Sequence, residues 1–375
     1  MEKRRMKNIG AEVSLLGFGG MRFPLKDGKI DREAATAMLD EALAQGVTYF
    51  DTAYYYHDGE SEDFYGEALS RHDRKTFYLA TKLPVWEVKE RADVRKFVEE
   101  QLKRLRTDHI DFYLLHALDK GRWESVKELD MLGALEELRT EGKLKYIGFS
   151  FHDAYEVFEE ILKARQWDFC QIQYNYMDTE EQAGLKGYQL TEELGVPLVI
   201  MEPVRGGALA NLSSDLQEKL KALDETATMA SYALRWVGSH PNVKVILSGM
   251  SSMEQVQDNL KTFADFKPLD DAERSAIETV AAEMKSRVQN GCTGCGYCMP
   301  CPFGVNIPGA FKTWNQYHMY QSYNAVSFGW ETTPEENKPA ACRECGKCEE
   351  ACPQKIMIRE DLKKVTADME GRIWK

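Results

Sequence analysis

Eight short apolar runs, separated by stretches of helical periodicity over the first 260 or so residues, leave this chain few folds to adopt. The runs are VSLLGFG (13–19), VTYFD (47–51), TFYLATK (76–82), IDFYLLH (110–116), KYIGFS (145–150), FCQIQY (169–174), PLVIME (197–202) and VKVILS (243–248). They are nearly continuous in β-branched, aliphatic and aromatic residues, as strands buried on both faces are. Between the first two, Asp31 is placed to cap a helix that carries Glu33 in its first turn. Ala35, Met38, Leu39, Ala42 and Leu43 lie on one face and Gly46 ends it. Val94, Phe97, Val98, Leu102 and Leu105 repeat the spacing, as do Leu132, Leu135 and Leu138 before Gly142. Eight strand–helix repeats of this length predict a (β/α)8 TIM barrel, because each parallel crossover is right-handed and leaves its helix outside. A doubly wound sheet would carry G-x-G-x-x-G after its first strand, which Gly17, Gly19 and Gly20 do not match.

The tail is of another kind. Eight of the nine cysteines fall in two groups, Cys292, Cys295, Cys298 and Cys301, then Cys342, Cys345, Cys348 and Cys352, and each group ends in Cys-Pro. Three thiolates at two-residue spacing can wrap three corners of an iron–sulfur cubane, and the Pro turns the fourth toward the other cluster. The spacing predicts a small ferredoxin-like domain with two [4Fe–4S] clusters. The first group has two residues between its third and fourth Cys, where the usual bacterial run and the second group have three. Zinc is the alternative, although structural zinc sites bring together two separated C-x2-C pairs. Disulfides would need an oxidising compartment, and no apolar signal segment is present in the first 30 residues. The ninth, Cys170, sits beside Gln171 in a strand and is expected to face the helices.

These patterns divide the chain into a barrel at 1–265, a helical linker at 266–290 and a two-cluster domain at 291–375. Within the last, IPGAFKTWNQYHMYQSY has the spacing of a helix with an aromatic face, expected to pack against the barrel. The net charge of −13 opposes binding to nucleic acid or an anionic membrane surface. No apolar run reaches the 18 residues of a membrane span, and the expected location is cytoplasmic. The basic start, MEKRRMK, reads as a solvated terminus.

Catalytic groups of a TIM barrel sit at the C-terminal ends of its strands. Those ends hold Asp51, Lys82 and His116 on neighbouring strands, with Tyr56 in the loop after the first of them. A phenol exchanges a proton near neutral pH only beside a cation and hydrogen-bonding groups. Lys82 supplies the cation, Asp51 keeps it charged when buried, and His116 can orient a reacting oxygen. This is a general-acid site for a carbonyl that receives hydride, or the reverse for an alcohol. Met21, Tyr54, Tyr55 and Trp86 follow strand ends and should line the mouth, suiting a moderately apolar or ring-shaped sugar, quinone or aldehyde.

Phe50-Asp51-Thr52-Ala53-Tyr54-Tyr55-Tyr56 with Gly59, Ser61 and Glu62, then ATKLP around Lys82, LLH to His116 and IGFS to Ser150, resembles the aldo-keto reductases. With CTGCGYCMPCP it resembles the subgroup bearing a C-terminal two-[4Fe–4S] domain. The resemblance implies a nicotinamide cofactor bound without a Rossmann fold, and the tetrad Asp51, Tyr56, Lys82 and His116 with Tyr56 as acid/base. It also implies that Ser150 and Gln171 hold the carboxamide. Phe151 stands where an Asn often follows that Ser, and Met201 where a Tyr usually stacks on the ring. Counting back from Asn259, the positions at which NADPH-binding members carry Lys and Arg are Gly249 and Gln255, so NAD(H) is expected over NADP(H).

The expected reaction is hydride transfer between nicotinamide and a small-molecule carbonyl or alcohol. The alternative is a ferredoxin-coupled enzyme, with a redox partner protein, in which the clusters exchange electrons with the barrel site. Hydride carries two electrons and each cubane one, so that route needs a flavin or a radical. A third reading is a non-catalytic regulatory barrel, against which the intact tetrad stands.

Overall fold

The computed structural model of the chain describes residues 1–374. Two compact units form: Met1–Arg205 with Ala230–Asp270, and Gly206–Met229 with the chain from Asp271 onward.

All eight apolar runs contain strands of one closed parallel barrel. An antiparallel pair, β1 (Lys3–Met6) and β2 (Ala11–Ser14), comes first, and β3 (Leu16–Gly19) opens the barrel. After a two-stranded ribbon of β4 (Leu25–Lys26) and β5 (Lys29–Ile30) come β6 (Tyr49–Asp51), β7 (Tyr78–Leu83) and β8 (Ile110–Leu118). Then follow β9 (Leu144–Phe151), β10 (Phe169–Gln173), β11 (Leu198–Met201) and β12 (Val243–Gly249). β12 pairs with β3 from Ile246↔Leu16 to Gly249↔Gly19 and removes the last open edge.

Alternation along each strand makes two cores. Tyr49, Ala80, Phe112, Phe169, Val199 and Val245 fill the interior. Their neighbours Phe50, Leu79, Tyr113, Cys170, Leu198 and Ile246 point out to the helices, among them Arg32–Ala44 and Arg91–Arg104. Asp31 caps the first of these through Ala34 N, as its sequence predicts.

The N-terminus departs from expectation. It is not a solvated arm: Met6, Ala11 and Val13 of the β1–β2 hairpin join the interior core, and Met6 is fully buried. Arg4 donates to the carbonyls of Gly238 (2.5 Å), His240 (3.0 Å) and Val243 (2.6 Å). An open barrel end exposes apolar side chains, and the hairpin covers them.

In the second unit, helix Asp271–Ser286 is tied to helix Ser214–Lys221 by Arg287–Asp215 (2.5 Å) and Lys219–Glu283 (3.1 Å). Helix Ile307–Tyr320 forms where the aromatic spacing predicts it. Its Phe311, Trp314 and Tyr317 share a core with Ile358, Leu362 and Val365 of helix Ile358–Gly371 and with Cys352. The aromatic face therefore serves the core of the tail itself.

Phe112 contacts four rings, Tyr49, Tyr78, Tyr146 and Phe169, at centroid distances of 4.9 to 5.6 Å. Phe112→Ala is expected to destabilise the barrel by about 3–5 kcal/mol, read from the denaturant midpoint at constant slope.

Candidate active site and cysteine cavities

Neighbouring strands bring the four predicted side chains together. Asp51 ends β6, Lys82 lies near the end of β7, and His116 follows two residues beyond Leu114, the register partner of Lys82. Tyr56 opens a short 3-10 turn after β6. Lys82 has no solvent exposure and donates to Asp51 Oδ1 and to the Thr52 carbonyl, each at 2.7 Å. Its Nζ stands 4.9 Å from the centre of the Tyr56 ring, and that ring meets His116 edge-on at 6.2 Å.

Burial alone would strip the proton from Lys82, but Asp51 and Tyr56 outweigh it and raise the ammonium's pKa above its ordinary value. Burial also raises the Tyr56 phenol, and Lys82 only partly offsets this, so Tyr56 holds its proton at neutral pH. His116 is pushed well below the ordinary imidazole range by burial and by Lys82. The arrangement presents a neutral phenol and a neutral imidazole above a fixed ammonium. Two buried polar atoms here, Asp51 Oδ2 and His116 Nδ1, have no protein partner.

Behind Lys82 is a polar network that sequence reading missed. Gln101, wholly buried on helix Arg91–Arg104, donates to the Lys82 carbonyl (3.0 Å) and to Glu62 Oε1 (2.6 Å), and accepts from the Tyr113 hydroxyl (2.6 Å). Thr81 Oγ1 donates to the same Glu62 oxygen (2.6 Å), and Arg104 reaches Glu62 Oε2 (3.3 Å). Helical periodicity marks Gln101 as one polar residue among many, so only the fold reveals its contacts.

Non-glycine residues with left-handed backbone gather at the strand ends: His57 (φ 53°) after Tyr56, Ala117 (φ 53°) after His116, and Glu202 (φ 56°) after Met201. Each costs about 1–3 kcal/mol and persists because its surroundings over-determine it. Ala117 N donates to Ser150 Oγ (2.7 Å) while its carbonyl accepts from Arg122 (2.5 Å). The Glu202 carbonyl accepts from Asn175 Nδ2 (3.1 Å) and Arg205 N (3.1 Å).

Ser150, Gln171 and Met201 stand near the C-terminal ends of β9, β10 and β11. Gln171 Nε2 donates to Met201 Sδ (3.4 Å), while Gln171 Oε1 is buried without a partner. Ser150 Oγ, accepting from Ala117, has a proton left to donate. One donor and one orphaned acceptor fit a primary carboxamide such as that of nicotinamide. Around β12 the picture is mixed. Asn259 is buried and donates to Ser248 Oγ (2.9 Å), an internal brace, and Gln255 accepts from Ser251 N (2.8 Å). The stem of Arg22 lies against Gly249, where an added Cβ would come within 2.7 Å of Arg22 Cγ. Its distance in sequence conceals this neighbour of Gly249.

Among the aromatics expected at the mouth, Tyr55 and Trp86 stack at 6.1 Å, and Trp86 lies 5.2 Å from His116. Met21 is half exposed. Tyr54 instead turns to helix Arg91–Arg104, donating to Glu100 (3.1 Å) beneath Arg104.

The cysteines pair across the two groups. One cavity is lined by Cys292, Cys295, Cys298 and Cys352, the other by Cys301, Cys342, Cys345 and Cys348 with Cys298 at its edge. The fourth cysteine of each group thus reaches the other's cavity, as the Cys-Pro endings predict, and the shorter spacing before Cys301 does not prevent it. Three thiols plus one from the other group is the donor set of a [4Fe–4S] cluster. No helix among the described residues is long and apolar enough to cross a membrane.

Residues 15–282 match the Aldo/keto reductase family and residues 291–357 a 4Fe-4S dicluster domain. The chain belongs to the aldo/keto reductase family, with an iron–sulfur domain C-terminal to its barrel. It is similar to the NADH-specific methylglyoxal reductase of Escherichia coli, with 27% identity over 69% of this chain and 93% of that protein. It is also similar to the L-galactose dehydrogenase of Arabidopsis thaliana, with 25% identity over 76% of this chain and 96% of that protein. Among solved structures, the holo form of aldo-keto reductase AKR11C1 from Bacillus halodurans shares 29% identity at a TM-score of 0.63, covering 74% of this chain and 96% of that one.

Because the folded His116 takes up a proton only well below the pH at which an unfolded imidazole does, stability should fall as pH drops through about 6.5. His116→Gln removes that contribution, giving a flatter Tm profile between about pH 5 and 7.

Proposed function

We propose that this chain is a nicotinamide-dependent carbonyl reductase, or alcohol dehydrogenase in the reverse direction, working at Asp51, Tyr56, Lys82 and His116. The observation that carries the reading is the fully buried Lys82 ammonium, fixed by Asp51 and Thr52 and set against the Tyr56 ring. The bound nicotinamide supplies or accepts the hydride. Tyr56, holding its proton at neutral pH, gives it to the oxygen that gains charge as the carbonyl is reduced. Lys82 stabilises the phenolate left behind and Asp51 keeps Lys82 charged. Neutral His116 directs the substrate oxygen toward Tyr56, beside the wall formed by Tyr55 and Trp86. Ser150 and Gln171 orient the carboxamide, and Met201 covers the ring with a thioether, softer and less rigid than an aromatic.

Cys292, Cys295, Cys298 and Cys352 hold one [4Fe–4S] cluster, and Cys301, Cys342, Cys345 and Cys348 the other. In this reading 1–265 is the catalytic barrel, 266–290 the linker and 291–375 the cluster domain of a cytoplasmic protein. Gly249 and Gln255 favour NADH, since a 2′-phosphate clamp wants paired cations and Arg22 offers one. The NADH-specific relative points the same way.

Tyr56→Phe should lower kcat for carbonyl reduction at least 100-fold while the fluorescence-titrated Kd for NADH stays within twofold. Retained turnover would refute the assignment of Tyr56. The wild type should have a KM for NADH several-fold below that for NADPH, and Gln255→Arg should narrow the gap by lowering the NADPH value. Equal values in the wild type would remove the case for NADH.

A further inference from the structure

The two cysteine cavities of the tail differ in charge. The first, around Cys292, Cys295, Cys298 and Cys352, has no charged side chain in its lining and is backed by buried Phe311 and Ile358. A carboxylate stands behind it. Asn290 accepts from Cys292 N (3.2 Å) and donates to Asp361 (3.1 Å), which Lys364 pairs from the surface (3.1 Å). The second cavity, around Cys301, Cys342, Cys345 and Cys348, is lined by Arg343, Lys347 and Arg359 against one carboxylate, Glu344. Its wall also carries Tyr297, Met299 and Phe303, which are 72%, 37% and 45% exposed, so this site opens toward water. Glu344 N donates to Cys342 Sγ (3.4 Å).

Ion pairing leaves a surplus of positive charge at the second site. Glu344 is held by Lys363 (2.8 Å) and Arg359 by Glu349 (2.8 Å). Arg343 and Lys347 are exposed, and neither has a carboxylate partner among the described residues. Both adjoin the cysteines themselves, Arg343 following Cys342 and Lys347 preceding Cys348. A cluster held by four thiolates is an anion, and its reduction adds one more negative charge. Nearby cations, water and N–H···S bonds favour that extra charge, while apolar walls and a carboxylate behind them oppose it. Every one of these differences favours the second site.

Given the cysteine assignment proposed above, we propose that the two clusters have unequal potentials set by the charges around them. Arg343 and Lys347 make the site of Cys301, Cys342, Cys345 and Cys348 the first to accept an electron, and the site of Cys292, Cys295, Cys298 and Cys352 is the last. One electron from a chemical reductant, dithionite, converts one oxidised cluster to its reduced form, and no bond of the protein forms or breaks. Cys298 lines both cavities, so the sites are adjacent and the electron settles where it is held better. The second site is thereby the resting place of a single electron, and the first is the stronger reductant once both are filled.

The test is a potentiometric titration of the full chain, its clusters reconstituted anaerobically, followed by EPR of the reduced clusters. Iron and sulfide contents of about eight each per chain are established first, since a lower content would overturn the cysteine assignment and the ordering together. In the wild type a single electron is expected to favour one cluster at least tenfold, a gap of about 59 mV. Two coincident steps would overturn the proposal. Repulsion between neighbouring clusters also separates the steps, so variants on each side decide the order. Arg343→Gln/Lys347→Gln should lower the first, higher-potential step and shrink the preference at least fivefold, while the second step moves much less. Gln354→Lys, which puts a cation on the uncharged lining of the first cavity, should raise the second step and leave the first in place. The reverse pattern, with Gln354→Lys moving the first step or the Arg343/Lys347 variant moving only the second, overturns the ordering with all iron bound. Should the double variant fail to hold its clusters, Gln354→Lys alone decides between the two orders.

Discussion

The barrel mouth is organised around one unfavourable placement, a lysine with no solvent exposure. An ammonium taken out of water is tolerated only where paired charge and hydrogen bonds replace its hydration. Asp51 and the Thr52 carbonyl provide this on the inner side, while Gln101, itself held by Glu62, donates to the Lys82 carbonyl from the outer side. Two helices and three strands are committed to holding that nitrogen still. The Tyr56 ring stands against that fixed nitrogen, its centre 4.9 Å from Lys82 Nζ. The strained residues after Tyr56, His116 and Met201 belong to the same design, in which short strand extensions are bent sharply and braced by hydrogen bonds.

The tail solves a different problem with different means. Its core is small, and the aromatic face of Ile307–Tyr320 is used up in building it together with Ile358–Gly371. The side chains left outside, Tyr297, Met299 and Phe303, have no such use within the tail. The two units thus have separate cores. Their division does not follow cysteine content alone, since the second unit also takes in Gly206–Met229 from within the barrel sequence.

Much of the fold was legible because the features that fix it are local. Apolar runs locate buried strands, Asp31 announces a helix start, and Cys-x2-Cys spacing with a terminal Pro encodes its own geometry. That Asp51, Tyr56, Lys82 and His116 would come together was legible for a related reason, since strand ends in a barrel are a known address. What stayed hidden was non-local. Arg4 and Met6 look like a charged terminus until the open end of the barrel is present to receive them. Gln101 gains meaning only when Lys82 is brought to it. Arg22 and Gly249 are strangers in sequence that β3 and β12 make neighbours by closing the sheet. Tyr54 sits among mouth residues in sequence, but the turn after β6 sends it to the outer helix.

The crossed pairing of the cysteines reaches beyond the wiring of the clusters. Each cavity borrows its fourth thiol from the other group, so neither stretch of sequence contains a complete site. Residues 302–341, which include the whole of helix Ile307–Tyr320, form a loop whose two ends meet at the second cavity through Cys301 and Cys342. Cys298 lines both cavities, and Cys352 brings the end of the second group to the first. The core of the tail and the first cavity share their walls, since Ile307, Phe311, Ile358 and Cys352 belong to both.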